Sequence, residues 1–450
     1  MPSLYTKLVS GLVFPLHEKM KGHDTVAIRR SLEQSQWLST GQITQIQTER
    51  LRVFLKQIAQ DVPYYKKLFQ DVRFVPDDIR SVDDLQKLPF LTKPVIRENT
   101  EALKSIHATS LSRFNTGGSS GEPLVFYIGN ERVSHDVAEK WRATRWWDVD
   151  IGDREIVVWG SPIELGSQDR VREIRDKLLR TKLIPAFEMS EANLDRFIEQ
   201  IRAFKPKMLF GYPSSLSLIA RHAERRGQIM NDLGIKVAFV TSERLYDNQR
   251  ETISRIFGCP VANGYGGRDA GFIAHQCPSG NMHLSAEDII VEIIDSDGNA
   301  LPAGQPGEIT VTHLATSEFP FVRYRTGDIG TLDNRQCECG RGLPLLKEIQ
   351  GRTTDFIVAE DGTIMHGLAL IYVIRDVAGV KNFKIEQESL RHTRVLLETD
   401  NMFNENSIND IREGLLKRLG KNVTLDIERV DDIPREKSGK FRYIVSKVSV

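Results

Sequence analysis

Glycine and hydroxyl residues crowd into one short stretch, Thr116, Gly117, Gly118, Ser119, Ser120 and Gly121. The glycines let the backbone come close to an anion and converge successive N–H groups on it, while the hydroxyls add donors. That is the chemistry of a phosphate cradle. It is not a Walker loop, because no Gly-Lys-Ser/Thr follows and Glu122 comes next. Further pieces follow in order. NGYGGRDAG (263–271) reads as a second glycine-rich turn with an aromatic and an acid. YRTGDIG (324–330) sets Asp328 after a tight turn, where a carboxylate can accept hydrogen bonds from a ribose diol. GRTTDF (351–356) supplies Arg352, and PREKSGKFR (434–442) puts Lys440 in a basic turn near the C-terminus. Each piece alone could be an ordinary loop; five in this order point to a nucleotide site.

Three of the four cysteines suggest a second chemistry. HQCPSGNMH (275–283) offers Cys277 and His283, and QCECG (336–340) offers Cys337 and Cys339. Three thiolates and one imidazole form the tetrahedral set that zinc takes in closed structural sites. His275 competes with His283 for the fourth place, and Cys259 reads as core.

The elements that must position these groups are legible from periodicity. Residues 25–110 read mainly as helix, with Leu51, Phe54, Leu55 and Ile58 on one face and Pro63 ending the pattern. LPFLTKPVIREN (88–99) reads as a connection into another helix. Strands are expected at 124–128, 155–159, 207–210, 237–240, 289–294 and 308–312, with helices at 132–146, 191–204, 214–227 and 247–257 between several of them. That alternation predicts an α/β fold with a substantially parallel sheet. The last hundred residues read as a small α+β unit: helix near 366–377, strands near 382–388 and 393–398, helix near 405–419, strand near 423–429.

Bulk properties narrow the classes. At 450 residues the chain needs more than one core. The 61 basic and 61 acidic residues cancel, which speaks against nucleic acid or an anionic membrane attracting the molecule as a whole. Arg221–Arg226 reads as a solvated helix face. No run reaches the ~20 apolar residues of a membrane span. The N-terminal segment MPSLYTKLVSGLVFPLHEKMKG reads as an amphipathic helix that packs or touches a partner, and the cysteine usage fits the reducing cytoplasm.

With its ordered motifs, from LPFLTKPVIREN to PREKSGKFRY, the chain resembles the adenylate-forming superfamily, most closely the phenylacetate–CoA ligase and CapK-like branch. The resemblance implies a large N-terminal AMP-binding domain (1–352, with 1–110 a helical leader) and a mobile lid (353–450). It implies that ATP and a carboxylic acid give acyl-AMP and pyrophosphate, after which CoA, or in CapK-like relatives an amine or hydroxyl, displaces AMP. It implies that Thr116–Gly121 wraps the phosphates, Asp269 holds magnesium, Ser242 and Glu243 flank the adenine, Tyr265 and Gly266 line the nucleotide pocket, Asp328 holds the ribose, Arg352 sits near the hinge and Lys440 joins carboxylate to α-phosphate. Some relatives carry a zinc cluster. A homodimer is compatible with this reading. The sequence departs from the pattern twice: Arg268 and Asp269 stand where Ser/Thr-Glu is common, and Thr354 stands at the usual hinge aspartate, followed by Asp355. Tyr127, Trp159, Phe187, Tyr212 and Tyr265 are candidates for a hydrophobic acid pocket.

Overall fold

The computed structural model describes residues 3–115, 124–159, 170–186, 189–243, 245–349, 356–375, 377–433 and 443–448. The chain opens with helices at residues 4–20, Thr25–Ser35, Thr40–Asp61 and Pro63–Asp71. Ser39 and Gln42 close a capping box at the start of the long third one, satisfying amides that have no partner in the first turn. Pro63 does not merely end it. It occupies the first turn of the next helix, where its missing N–H costs nothing.

A hairpin follows, β1 (Ser112–Asn115) and β2 (Val125–Ile128), with Asn115 opposite Val125. The large sheet is built from β3 (Glu155–Trp159), β4 (Thr181–Pro185), β5 (Met208–Gly211), β6 (Val237–Thr241), β7 (Val261–Gly267), β8 (Gly271–Gln276), β9 (Met282–Leu284), β10 (Ile289–Ile294), β11 (Gly307–His313), β12 (Phe321–Asp333) and β13 (Leu345–Ile349). Its order is β10-β11-β12-β13-β9-β8-β7-β6-β5-β3-β4. From β4 to β7 all neighbours are parallel, and from β7 to β10 all are antiparallel. The helices Glu191–Phe204, Pro213–Arg225 and Asp247–Phe257 are three of the crossovers of the parallel half, with Arg170–Leu179 between β3 and β4, and the three bury Phe197, Leu216 and Phe257 with Ile156, Leu209 and Val240 in one core. The antiparallel half packs instead on the N-terminal helices, through Leu51, Phe54 and Leu55 against Ile289, Ile309 and Phe321.

Residues after 355 form a separate core around Leu370, Ile385, Val395 and Leu415. There β14 (Phe356–Val358) pairs with β15 (Ile364–His366), and β16 (Val380–Ser389), β17 (His392–Thr399), β18 (Thr424–Arg429) and β19 (Ile444–Ser446) form a four-stranded sheet ordered β18-β17-β16-β19. The fold is therefore α/β, with a second, α+β unit, as the periodicity predicts.

Two local expectations need correcting. NGYGGRDAG is not simply a turn: its first five residues complete β7, and only residues 268–270 turn into β8. Asp328 does not follow a tight turn either. Arg325 faces Thr310 and Ile329 faces Glu308, so residues 326–328 bulge opposite one residue inside the long β12. Glycine at 327, with φ +79°, permits the bulge. No described helix is long and apolar enough to cross a membrane.

Candidate active site

The parallel strands end side by side, so Trp159, Tyr212, Ser242 and the end of β7 share one edge of the sheet. Ligands of open parallel sheets bind at this carboxyl edge. The backbone there is strained: Ser242 takes φ +73°, which a side chain other than glycine rarely adopts. Beside it, Glu243 Oε2 accepts the N–H of Ser214 at 3.4 Å, placing negative charge at the positive end of the helix Pro213–Arg225. The Trp159 ring stacks on Tyr212 with centroids 4.3 Å apart. Tyr127 lies on the hairpin, against Phe319 and under the Lys104 ammonium, so it does not join that pair. Phe187 lies outside the described residues.

The two predicted aspartates are each held by a tyrosine. Tyr265 O–H, from β7, donates to Asp328 Oδ2 at 3.1 Å, and Tyr324 O–H, from β12, donates to Asp269 Oδ2 at 2.6 Å. Four strand spacings separate β7 from β12 in the sheet order, about 19 Å if it were flat. The direct bonds show that the antiparallel half curls over to close a mouth. Asp269 Oδ1 also accepts its neighbour Ala270 N–H at 3.1 Å.

Tyr324 and Arg132 are the residues sequence reasoning missed. Tyr324 stood in the quoted YRTGDIG, but nothing local marked it as a partner for residue 269. Arg132 is buried and donates to the carbonyl oxygens of Arg268 at 3.0 Å and Asp269 at 3.3 Å, fixing the turn that carries both. Its Nε is paired with Asp136 at 3.0 Å. Arg268 itself is exposed, near enough to Tyr372 of the C-terminal unit to feel it electrostatically. A single carboxylate at a rigid turn suits a magnesium that arrives with phosphates, since such ions keep most of their other ligands. Thr116–Gly121, Arg352, Thr354 and Lys440 lie outside the described residues.

The cysteine cluster assembles. One ligand atom from each of Cys277, His283, Cys337 and Cys339 lies within 4.8 Å of all the others. Cys277 Sγ is 3.6 Å from Cys337 Sγ, and Cys339 Sγ is 3.3 Å from His283 Nε2. Sulfurs on a tetrahedron with zinc–sulfur bonds of 2.3 Å would stand about 3.8 Å apart, so the donor set fits such an ion. His283 Nδ1 lies 3.3 Å from the Leu343 carbonyl oxygen, the second partner that orients a metal-bound imidazole through its other nitrogen. Burial pushes His283 down to about 4, which keeps the ring neutral as a ligand must be, and pushes the Cys277 thiol up to about 12. For Cys339 burial is outweighed by hydrogen bonds from Arg341, leaving that thiol lowered.

His275 is excluded from the cluster. It is buried between Phe239 and Phe272, neither ring nitrogen has a hydrogen-bond partner among the described residues, and burial followed by the Arg142 charge pushes it down to about 3. Cys259 is core, pushed up to about 12 by burial. Of the expected solvated face at 221–226, Arg225 and Arg226 are exposed, Arg226 in a two-pronged pair with Asp195, whereas Arg221 is half-buried beside the buried His222 and Ala223.

Comparison with known proteins agrees with this architecture. Residues 182–317 match the AMP-binding enzyme family, and residues 357–447 match the CapK C-terminal domain. Protein CapK of Staphylococcus aureus is 25% identical over 415 residues, covering 90% of this chain and 89% of CapK. Phenylacetate–coenzyme A ligase of Pseudomonas putida is 27% identical over 350 residues, covering 75% of this chain and 76% of the ligase. A crystal structure of 2-hydroxyisobutyryl-CoA ligase with its acyl-AMP and CoA, in the thioesterification state, superposes with a TM-score of 0.66 at 18% identity, covering 92% of this chain and 91% of that one. The last shares the fold. The chain belongs to the adenylate-forming superfamily, in the branch of CapK and the phenylacetate–CoA ligases. It is an adenylate-forming, acid–CoA ligase-like enzyme.

Proposed function

We propose that the chain activates a hydrophobic or aryl carboxylic acid as its acyl-adenylate and passes the acyl group to the thiol of CoA. The observation that carries this reading is the pair of tyrosine–aspartate bonds closing a mouth at the carboxyl edge of the parallel strands. A carboxylate oxygen of the acid attacks the α-phosphorus of ATP, the bond to the β-phosphate breaks, and pyrophosphate leaves. The thiolate of CoA then attacks the acyl carbon and AMP leaves.

Two anions meet in the first step, so the charge that builds must be met by fixed dipoles and cations. On this reading Thr116–Gly121 gives backbone N–H groups and hydroxyls to the β- and γ-phosphates. Asp328 accepts the ribose hydroxyls with Tyr265 orienting it, and Gly266 leaves room for the nucleotide. Ser242 and Glu243 border the adenine. Asp269, steadied by Tyr324, holds magnesium, which neutralises phosphate charge when bound. Arg268 adds cationic charge beside it. Lys440 bridges the acid and the α-phosphate, and Arg352 lies by a hinge at 352/353 about which residues 353–450 move as a lid. Trp159 and Tyr212 flank the acid. Cys277, His283, Cys337 and Cys339 hold a structural zinc, because a closed four-ligand set leaves no position for substrate.

A second reading has a specific observation behind it. The CapK match spans 90% of the chain, against 75% for the ligase of P. putida, and the C-terminal match is to the CapK domain. On that reading an amine or hydroxyl, in polysaccharide or secondary-metabolite assembly, replaces CoA. Pyrophosphate release against a panel of carboxylic acids, with and without CoA, decides. Acid-dependent release with a CoA ester as product supports the first reading; release with no thioester supports the second. No acid-dependent release from any member would sink both.

A further inference from the structure

The first helical stretch turns a row of large apolar side chains to solvent. Leu4, Leu8, Leu12, Leu16 and Met20 are 87%, 52%, 61%, 57% and 81% exposed. At 3.6 residues per turn a four-residue repeat drifts around the helix by about 40° per step. The turn at Val9–Val13 is wider, with Phe14 N–H reaching back five residues to Val9 O, and it takes up part of that drift. The row therefore stays on the outer side. The inner side is anchored: Phe14 meets the edge of Trp141 at 5.1 Å, Val9 fills the space beside Gly152, and Thr6 O–H donates to Asp153 Oδ1 at 2.8 Å.

The exposed charged residues of the helix itself are all cationic, while the exposed Glu173 of the helix Arg170–Leu179 is paired with Lys177. Lys7, Lys19 and Lys21 are exposed, whereas Glu18, the one acid of the helix, is buried and occupied by His17, His23 and Thr25. The neighbouring helix Arg170–Leu179, joined through Tyr5 O–H to the Leu178 carbonyl, adds exposed Ile174 and Leu178. An apolar stripe flanked by lysines is what lies in the plane of a bilayer, with the leucines at the acyl boundary and the ammoniums among anionic headgroups. Protein self-association fits less well, since a two-fold pairing of this face would bring Lys7, Lys19 and Lys21 against one another.

We propose that the helix at residues 4–20 docks the enzyme, reversibly and in plane, on an anionic phospholipid surface. Zero net charge still holds for the molecule as a whole; the attraction is local to this face.

The test is co-sedimentation of the full chain with vesicles of phosphatidylcholine alone and of phosphatidylcholine with phosphatidylserine. Binding to the anionic vesicles is expected, weakened by salt and nearly absent with the neutral ones. The Leu8→Gln/Leu12→Gln/Leu16→Gln variant changes only exposed positions. It should need about tenfold more lipid for half-binding, with unchanged pyrophosphate release and thermal midpoint. Lys7→Glu/Lys19→Glu/Lys21→Glu should abolish the preference for anionic lipid. Failure of the parent chain to sediment with anionic vesicles overturns the proposal. So does a parent dimer that the leucine variant dissociates while vesicle binding stays unchanged, which would make the face an interface between copies.

Discussion

The mouth of the curled sheet and the cysteine cluster both gather polar side chains from distant parts of the chain, but they do it differently. At the mouth, Asp269 in the β7–β8 turn and Asp328 in β12 are half-buried, and each is steadied by one tyrosine. At the cluster, three of the four ligands are buried and all four face one another. On the proposed reading, a region that admits a nucleotide and releases AMP keeps its acids at an edge, whereas one that would hold an ion turns its donors inward.

The sharpest way to break this comparison is to remove the charge the mouth borrows from elsewhere. Lys440→Ala is expected to slow acid-dependent pyrophosphate release by roughly 10²–10³-fold, the order for one charge-stabilising group, with the thermal midpoint unchanged. Release at the parent rate would leave the lysine without the role given to it. At the other region the pattern should invert. Cys337→Ser/Cys339→Ser should lose about one bound ion per chain and several kcal/mol of stability, read as a lower thermal midpoint and by metal analysis. A metal-free protein with the parent midpoint would show that the cluster is only a group of buried thiols.

Within the mouth, Tyr324→Phe removes the hydrogen bond to Asp269. A bond to a charged group is worth about 1.5–3 kcal/mol, so adenylation should fall roughly ten- to a hundredfold. Tyr265→Phe should act on the Asp328 side and raise the KM for ATP more than it lowers kcat. Equal effects of both changes on KM would argue against separate magnesium and ribose duties. A last test is of pH. Burial pushes His275 down to about 3 and His313 to about 4, so both are neutral in the folded protein. The unfolded chain takes up those protons at the ordinary histidine value of about 6.5. Stability should therefore be complete above that value and decline as pH falls from 6.5 toward 4. A thermal midpoint that stays flat over that window would mean that these rings are hydrated.

Much of the scaffold was legible because its elements are strongly periodic. The spans at 155–159, 191–204, 247–257, 289–294 and 405–419 coincide with the observed ones, each bounded by turn residues or caps. The cysteine set was legible because the chemistry of sulfur is rare, and its four donors converge. The choice of His283 over His275 was not forced by spacing; the two stand opposite each other across β8 and β9, and it is the His283 ring whose nitrogen reaches the sulfurs while His275 lies between Phe239 and Phe272. The mouth was half legible. Asp269 and Asp328 stand out in glycine-rich strings, but their tyrosine and arginine partners lie 55 to 137 residues away, where no local pattern reaches. The bulge at Asp328 was missed because Thr-Gly-Asp also encodes turns.

The curl of the sheet has a consequence for anyone who would reshape this enzyme. The gap between β7 and β12 is spanned by β8, β9 and β13, so its width is the summed coil of three backbones rather than a property of the residues facing it. Cys277 follows β8, His283 lies in β9, and Cys337 and Cys339 lie on the connection from β12 to β13. An ion held there would buckle the span, like a clasp on a bracelet. Replacing side chains at the mouth would then retune its chemistry, while its aperture would be inherited from the clasp.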